Sequence, residues 1–416
     1  MNLYENSQKP EIAVLVSVDA GTFDIDVSID ELEELARTAG AEVFAKVIQK
    51  KEKPNSALFV GTGKLEEIKQ LCNDNDVNLI IFDAELTPSQ QRNIEKITDI
   101  RVIDRTTLIL DIFAARANSK EGKLQVELAQ LRHSLPRLGG KGTQLSKLGG
   151  GIGTRGPGES KLESDKRHIR RRIEALTDEL KEVEKRRNGL RARRIKDGFE
   201  TVVIVGYTNA GKSTLMNKLT DAGVLAQDKL FATLDPTARA LTLPNGRKVM
   251  LIDTVGLVRR LPHNLVRAFK STLEEAANAD VVLNVCDVSS PECAEHLEVT
   301  EKLLLELGAQ SKPTISVMNK CDLTDISSDI PVIGQSVMIS AIDGTGIDNL
   351  LQVIEDALPQ TRKRVNLLFP FAKISLASKI RTDGIIFSEE YIETGLQLDA
   401  IADIRLLDEL SEYIVE

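Results

Sequence analysis

Residues 203–214, VIVGYTNAGKST, set Gly206, Gly211, Lys212 and Ser213 in the spacing G-x-x-x-x-G-K-[ST]. That spacing suits phosphate. Glycines let backbone N–H groups curl around an anion, and the N-terminus of a following helix favours its negative charge. Lys212 would reach the β- and γ-phosphates, and the Ser213 hydroxyl would ligate Mg²⁺. Tyr207, Thr208, Asn209, Ala210 and Thr214 complete the candidate phosphate contacts. The flanks agree with this reading: TVVIV reads as a buried strand and STLMNKLTDAG as a helix.

Three further pieces follow in order, each on a strand end. MLIDTVG (250–256) ends in D-x-x-G, where Asp253 would hold Mg²⁺ through water and the Gly256 amide would meet the γ-phosphate. Thr254 and Val255 lie between them. TISVMNKCD (314–322) ends in N-K-x-D. A carboxylate at Asp322 can accept from guanine N1 and the 2-amino group, a pattern that adenine does not offer. Asn319 would brace the base pocket and the Lys320 stem would cover the ring, with Cys321 between. VMISA (337–341) adds Ser340 and Ala341, the latter with its backbone near guanine O6. The chemistry implied is GTP hydrolysis on a doubly wound P-loop sheet, with the ligand outside the strand C-termini.

Switch I should lie between the first helix and the D-x-x-G strand. There KLFATLDPTARAL supplies Phe231, Ala232, Thr233, Leu234 and Asp235. Thr233 is the first choice for a second Mg²⁺ hydroxyl and Thr237 the second choice. The catalytic set is then Lys212, Thr233 and Gly256. Leu257 stands where many GTPases carry a water-orienting Gln. A leucine cannot orient water, so hydrolysis should be slow alone and faster with a partner. An Asn at the place of Asn209 ligates K⁺ in potassium-activated GTPases; the alternative is that it only braces the loop.

Other glycine patterns carry less. Gly151, Gly153 and Gly156 spell G-x-G-x-x-G, but no strand precedes them, as a dinucleotide loop requires. VGTGKLEE (60–67) lacks the full spacing and the hydroxyl. The first of these lies in a basic block. Residues 132–196 hold 19 Lys and Arg against 8 Asp and Glu, in a chain whose total is −9. A basic block within an acidic chain suggests one local polyanion partner, although a solvated charged helix gives the same count. Arg137, Lys141, Lys147, Gly151, Arg155 and Lys161 are the candidate RNA contacts, suited to phosphate, 2′-OH and shape.

The elements that must position these groups read as four units. Residues 1–104 alternate strands and helices, as a small α/β domain does. IAVLVSV, EVFAKVIQ and LIIFD are strands. SIDELEELARTAG is a helix with Ser28 as cap and Gly40 as stop, and TPSQQRNIEKIT is a helix with Thr87 as cap and Pro88 in its first turn. Residues 105–198 carry two amphipathic helices. Leu124, Leu128, Leu131 and Leu135 mark the first. Leu162, Ile169, Ile173, Leu176, Leu180, Val183 and Leu190 mark the second, interrupted by Lys166 and Arg187. They predict an antiparallel hairpin with a Gly-rich tip, basic residues outward and Gly198 closing the second helix. Residues 199–360 return to strict strand–helix alternation, and 361–416 form a small α/β tail with a closing helix. The four scattered cysteines show no zinc spacing and suit a reducing compartment. No apolar run reaches membrane-spanning length and no secretory signal is evident, so a cytoplasmic protein is expected; a monomer is the separate expectation for its assembly.

The sequence also resembles the HflX family of ribosome-associated GTPases. The marks are VGTGKLEEIK, DRTTLILDIFAARA, EGKLQVELAQLRHSLPRL, GGGIGTRGPGESKLE, VGYTNAGKSTLMNKL, LFATLDPTARAL and DTVGLVRRLP. They span roughly residues 55–270. The resemblance implies binding to the large ribosomal subunit and GTP-dependent dissociation of stalled or idle ribosomes in stress recovery. It implies a hairpin tip reaching toward the peptidyl transferase centre, and hydrolysis stimulated by the ribosome, which fits Leu257.

Overall fold

The computed structural model describes residues 11–21, 23–138, 157–196, 199–220, 231, 236–260, 275–309, 312–324, 334–359 and 362–415. Three sheets and a helical hairpin follow one another along the chain.

The first sheet is parallel, with strand order β2-β1-β3-β4. Its strands are β1 (Ile12–Asp19), β2 (Glu42–Lys50), β3 (Leu79–Phe82) and β4 (Arg101–Asp104). Every residue of β3 is buried, as a central strand covered on both faces requires. Helices α1 (Ile25–Ala39), α2 (Thr62–Asp74) and α3 (Pro88–Thr98) make the crossovers. The N-cap of α1 is Asp24, whose Oδ1 accepts from the amides of Asp26 and Val27. Ser28, expected as that cap, lies a turn inside and is buried, its Oγ donating 2.7 Å to Asp83 Oδ2. An aspartate four residues earlier satisfies the helix N-terminus first, which frees Ser28 for a long-range bond. Gly40 stops α1 at φ 92°. Helix α3 has the expected start: Thr87 and Gln90 form a capping box around Pro88.

Helix α4 (Arg105–Arg116) leads into the hairpin of α5 (Lys120–Ser134) and α6 (Pro157–Lys196). The seam joins Leu124, Leu128 and Leu131 to Ile173, Leu176, Leu180 and Val183. Ion pairs Arg172–Glu127 at 2.7 Å and Arg187–Glu121 at 3.0 Å set the antiparallel register. Arg187 therefore closes the seam rather than interrupting it. Leu190, expected on the seam, is 54% exposed. Helix α5 begins opposite Arg187, so nothing remains for Leu190 to pack against. Arg167, Arg171 and Arg186 face outward. Gly198 lies outside the described residues.

The second sheet has order β10-β9-β8-β5-β7-β6. Its strands are β5 (Glu200–Gly206), β6 (Thr237–Thr242), β7 (Lys248–Asp253), β8 (Val281–Asp287), β9 (Thr314–Asn319) and β10 (Gln335–Met338). Strict alternation fails once: β6 and β7 form an antiparallel pair, with Thr237 opposite Asp253. The connection between them, residues 243–247, is too short for a crossover helix. All other neighbours run parallel. Helices α7 (Lys212–Thr220), α8 (Cys293–Glu306) and α9 (Ile347–Ala357) flank the sheet. The chain leaves β5 for either side of the sheet, which makes the C-terminal end of β5 the switch point.

The third sheet is antiparallel, order β12-β13-β11-β14. It holds β11 (Arg362–Phe369), β12 (Ile385–Ile392), β13 (Gly395–Asp403) and β14 (Ile414–Val415), with α10 (Ala377–Asp383) and α11 (Ile404–Glu409). The described chain closes in a short edge strand, not the expected helix. Ile414 and Val415 pair with β11 instead. Among the described residues no helix is long and apolar enough to cross a membrane.

Candidate active site

The loop after β5 runs across the switch point. Asn209 and Gly211 take left-handed backbone at φ 61° and 90°. A Cβ on Gly211 would collide with the Asn319 side-chain amide, so only glycine fits there. Asn319 is buried and held in place by two hydrogen bonds. Its Nδ2 donates 2.8 Å to Ala210 O, and its Oδ1 accepts 3.0 Å from the Ala341 amide. This one side chain ties the phosphate loop to the N-K-x-D and SA segments.

Lys212 opens α7 and is only 7% exposed. Its Nζ donates 2.7 Å to Tyr207 O. Burial pushes the ammonium down to about 8, opposed by Asp253. Ser213 Oγ donates 2.9 Å to Asp253 Oδ2 at the end of β7. A hydroxyl and a carboxylate side by side, both hard oxygen donors, fit a Mg²⁺ ion. Thr214 is half-buried in the same first turn. Thr254 Oγ1 donates 2.7 Å to Ile204 O, and Val255 is packed in the core. Gly256 lies against the loop: a Cβ there would stand 2.7 Å from Thr208 Cγ2 and 3.0 Å from Lys212 Nζ. The Thr208 amide donates to Leu257 O and the Leu257 amide to Gly206 O, at 2.8 and 3.1 Å.

On the base side, Lys320 adopts φ 64° and its Nζ pairs with Asp287 at 2.7 Å. The Cys321 amide donates 3.2 Å to Ile339 O. Asp322 is exposed in the turn Cys321–Leu323. Ser340 and Ala341 are buried beside it. The structure therefore gathers the residues of all four motifs at the C-terminal edge of one sheet. Ala232, Thr233, Leu234 and Asp235 lie outside the described residues. Thr237, the second choice for the metal, begins β6.

Two expected nucleotide contacts turn their side chains elsewhere. The Phe231 ring packs edge-on against Phe113 of α4, centroids 4.6 Å apart. The Tyr207 ring stacks on His296 at 3.8 Å, and its hydroxyl donates 2.9 Å to Glu31 Oε2. Only their backbones remain available to a phosphate. Leu257 is 4% exposed and shares one apolar cluster with Phe113, Tyr207, Phe231, Val258 and the helices of the first sheet.

Sequence reasoning missed the polar contact that surrounds this cluster. Asp83, just past β3, accepts from Arg105 Nη1 at 2.9 Å and Arg260 Nη2 at 2.7 Å. Arg105 also pairs with Glu31 at 2.7 Å and donates 3.2 Å to Arg259 O. The Arg259 amide in turn donates to the Tyr207 hydroxyl. The Arg259 side chain pairs with Glu292 and Glu295, each at 3.0 Å. Burial, helped by Arg259, pushes His296 down to about 4. The segment after D-x-x-G is thus held from both sides. The pair Arg259-Arg260 was visible in the sequence, but no spacing rule points to Glu292 and Glu295 for Arg259 or to the far more distant Asp83 for Arg260.

Of the candidate RNA contacts, Arg137 is committed internally. It donates to Leu86 O, His133 O and Asp104 Oδ2, each at 2.8 Å. That is a structural role, so it is withdrawn from the candidate RNA contacts. Lys141, Lys147, Gly151 and Arg155 lie outside the described residues. Lys161 falls on α6, and nothing is described of its side chain.

Three family matches tile the chain: "GTP-binding GTPase N-terminal" over residues 26–114, "GTP-binding GTPase Middle Region" over 116–194 and "50S ribosome-binding GTPase" over 201–320. The chain is 50% identical to GTPase HflX of Caldanaerobacter subterraneus over 412 residues, 99% of this chain and 95% of that protein. It is 47% identical to GTPase HflX of Lacrimispora saccharolytica over 418 residues, 99% of this chain and 98% of that one. With GTPase HflX of Escherichia coli it shares 44% over 362 residues, 86% and 85% of the two chains. With the motifs for GTP hydrolysis already assembled on one sheet edge, this similarity along nearly the whole length settles the family: the chain belongs to the HflX GTPases.

Proposed function

We propose that this chain is a GTP-driven factor that acts on the large ribosomal subunit in the cytoplasm. Gly206–Thr214 hold the phosphates, and Asn319–Asp322 with Ser340 and Ala341 hold guanine. Ser213, Asp253 and Thr233 would hold Mg²⁺, which when bound neutralises phosphate charge. Lys212 supplies a buried cation to the β- and γ-oxygens. The Gly256 amide faces the γ-phosphate from the other side. Asn209 presents an exposed amide where K⁺ would sit; faster GTP turnover in KCl than in NaCl is the expected sign, and equal rates would remove it.

In this reading the GTP form binds near the peptidyl transferase centre through the basic hairpin. Lys141, Lys147, Gly151, Arg155 and Lys161 contact RNA. Binding dissociates stalled or idle ribosomes, and hydrolysis releases the factor as a monomer. Residues 1–104, 105–198, 199–360 and 361–416 act as four units. The observation that carries this is the union of the GTP motif residues on one sheet edge with an antiparallel hairpin in a segment, residues 132–196, that holds 19 Lys and Arg against 8 Asp and Glu. The description "50S ribosome-binding GTPase" for the matching family supports the same partner.

The test is co-sedimentation with purified large subunits in the presence of a non-hydrolysable GTP analogue. Arg155→Glu is expected to weaken binding about tenfold or more while leaving GTP affinity unchanged, and wild-type binding should fall steeply with salt. Binding that ignores both salt and Arg155→Glu would point instead to a GTP-gated switch acting on a protein partner.

A further inference from the structure

Cys286 and Cys293, scattered singly in the sequence, meet in the fold. Cys286 lies in β8 and Cys293 opens α8. Their Sγ atoms are 2.7 Å apart, and both residues are buried, at 1% and 6% exposed. About 0.7 Å of further approach reaches the length of a disulfide bond. The Cys286 thiol also lies 3.3 Å from Cys293 O, so the two sulfurs are held together from more than one side. Val288, Leu297, Met318, Met338 and Cys321 pack around them.

The chain between the two cysteines links the two halves of the candidate nucleotide site. Asp287 follows Cys286 directly and pairs with Lys320 of N-K-x-D. Glu292 precedes Cys293 directly and pairs with Arg259, beyond D-x-x-G. His296, one turn further on, stacks on Tyr207 of the phosphate loop.

We propose that Cys286 and Cys293 form a reversible disulfide when hydrogen peroxide reaches them, and that the bond stiffens the 287–292 loop and slows nucleotide release. Cys293 is the attacking sulfur. It accepts the Cys286 S–H, which brings its thiol below the usual cysteine range, and its place at a helix N-terminus favours a thiolate; the same bond and burial push Cys286 up. The Cys293 thiolate attacks one peroxide oxygen. An S–O bond forms, the O–O bond breaks, and the departing hydroxide takes a proton to become water. The Cys286 sulfur then attacks the sulfenic sulfur. The S–S bond forms, the S–O bond breaks, and the second water leaves with the Cys286 proton. Two thiols lose two electrons and the peroxide is reduced to two waters. A dithiol reverses the step by exchange.

The cross-link stands on geometry alone, whereas its effect on nucleotide rests on the site proposed above. The experiment treats the full reduced chain with hydrogen peroxide, alkylates residual thiols, maps peptides by mass and follows release of a fluorescent GDP analogue. The expected result is one Cys286–Cys293 bridge, reversed by dithiothreitol, retained in Cys72→Ala and Cys321→Ala, and lost in Cys286→Ala and Cys293→Ala. GDP release from the bridged protein should be severalfold slower and recover on reduction. Thiols that stay alkylatable, oxidise past sulfenic acid without a bridge, or bridge to another cysteine would overturn the pair. A bridge that leaves GDP release unchanged would overturn the coupling. Failure of the reduced protein to bind the analogue at all would count against the nucleotide site, not the bridge.

Discussion

Two sheets in this chain, one parallel and one mixed, place different groups at the C-terminal ends of their strands. The second sheet delivers backbone amides, Lys212 and Asn319 to its C-terminal edge, an arrangement that receives an anion. The first delivers carboxylates: Asp83 follows β3, and Asp104 ends β4. Both acids are buried and already answered by arginines, Asp83 by Arg105 and Arg260, and Asp104 by Arg137. Similar topology thus makes a ligand crevice in one place and a docking face in the other. What docks there is the segment beyond D-x-x-G of the second sheet. The lesson is that a strand–loop–helix unit becomes a nucleotide site through what its loop presents, not through its winding.

The glycine-bearing loops of the two sheets offer the largest contrast. Lys212→Ala is expected to lower GTP hydrolysis about a thousandfold, because a buried cation facing the phosphates is lost. Lys64→Ala, in the superficially similar GTGK stretch, should leave turnover within about twofold. Lys64 only pairs along its own helix with Glu67. Steady-state phosphate release measures both.

The docking face can be broken next. Asp83→Ala leaves Arg105 and Arg260 facing each other without their shared carboxylate, at a cost of about 3 kcal/mol in urea unfolding. A smaller effect should come from His296, held near 4 in the fold against 6.5 in the unfolded chain. Between those pH values the unfolded state binds the proton and the folded state does not, so stability rises with pH across that window. Allowing for partial solvent screening, acidification from 6.5 to 4 should remove about 2 kcal/mol. His296→Phe, which keeps the stack on Tyr207, should flatten that slope.

The smallest expected signal sharpens the anion side. With Lys212 at about 8, part of the protein carries a neutral amine at higher pH. Phosphate favours the ammonium, so GTP binding above pH 8 should take up a fraction of a proton and weaken as pH rises. Calorimetry in buffers of different ionisation enthalpy reads it, and Lys212→Met should abolish it.

Much of this was legible in the sequence, for physical reasons. The phosphate loop, D-x-x-G, N-K-x-D and SA are local strings whose chemistry depends on spacing. The hairpin seam is also local, carried by a heptad period through Ile173, Leu176 and Leu180. What escaped depends on contacts far apart in the chain. Ser28 looked like a cap, but its partner is Asp83, and Asp24 had already taken the helix end. Arg137 read as a basic probe of RNA, yet three acceptors hold it within the fold. Leu190 obeyed the heptad where no partner helix continued. Tyr207 and Phe231 sat inside nucleotide motifs, and their rings serve the interface with the first sheet instead.

The burial of Leu257 leaves the second sheet with an anion crevice and no side chain of its own at that position to orient the attacking water. The direct test is GTP hydrolysis by the purified chain, alone and with large ribosomal subunits, across a salt series. Slow turnover alone, stimulation by orders of magnitude with subunits at low salt, and loss of that stimulation as salt rises are the expected results. Turnover that is equally fast with and without subunits at the lowest salt would contradict them.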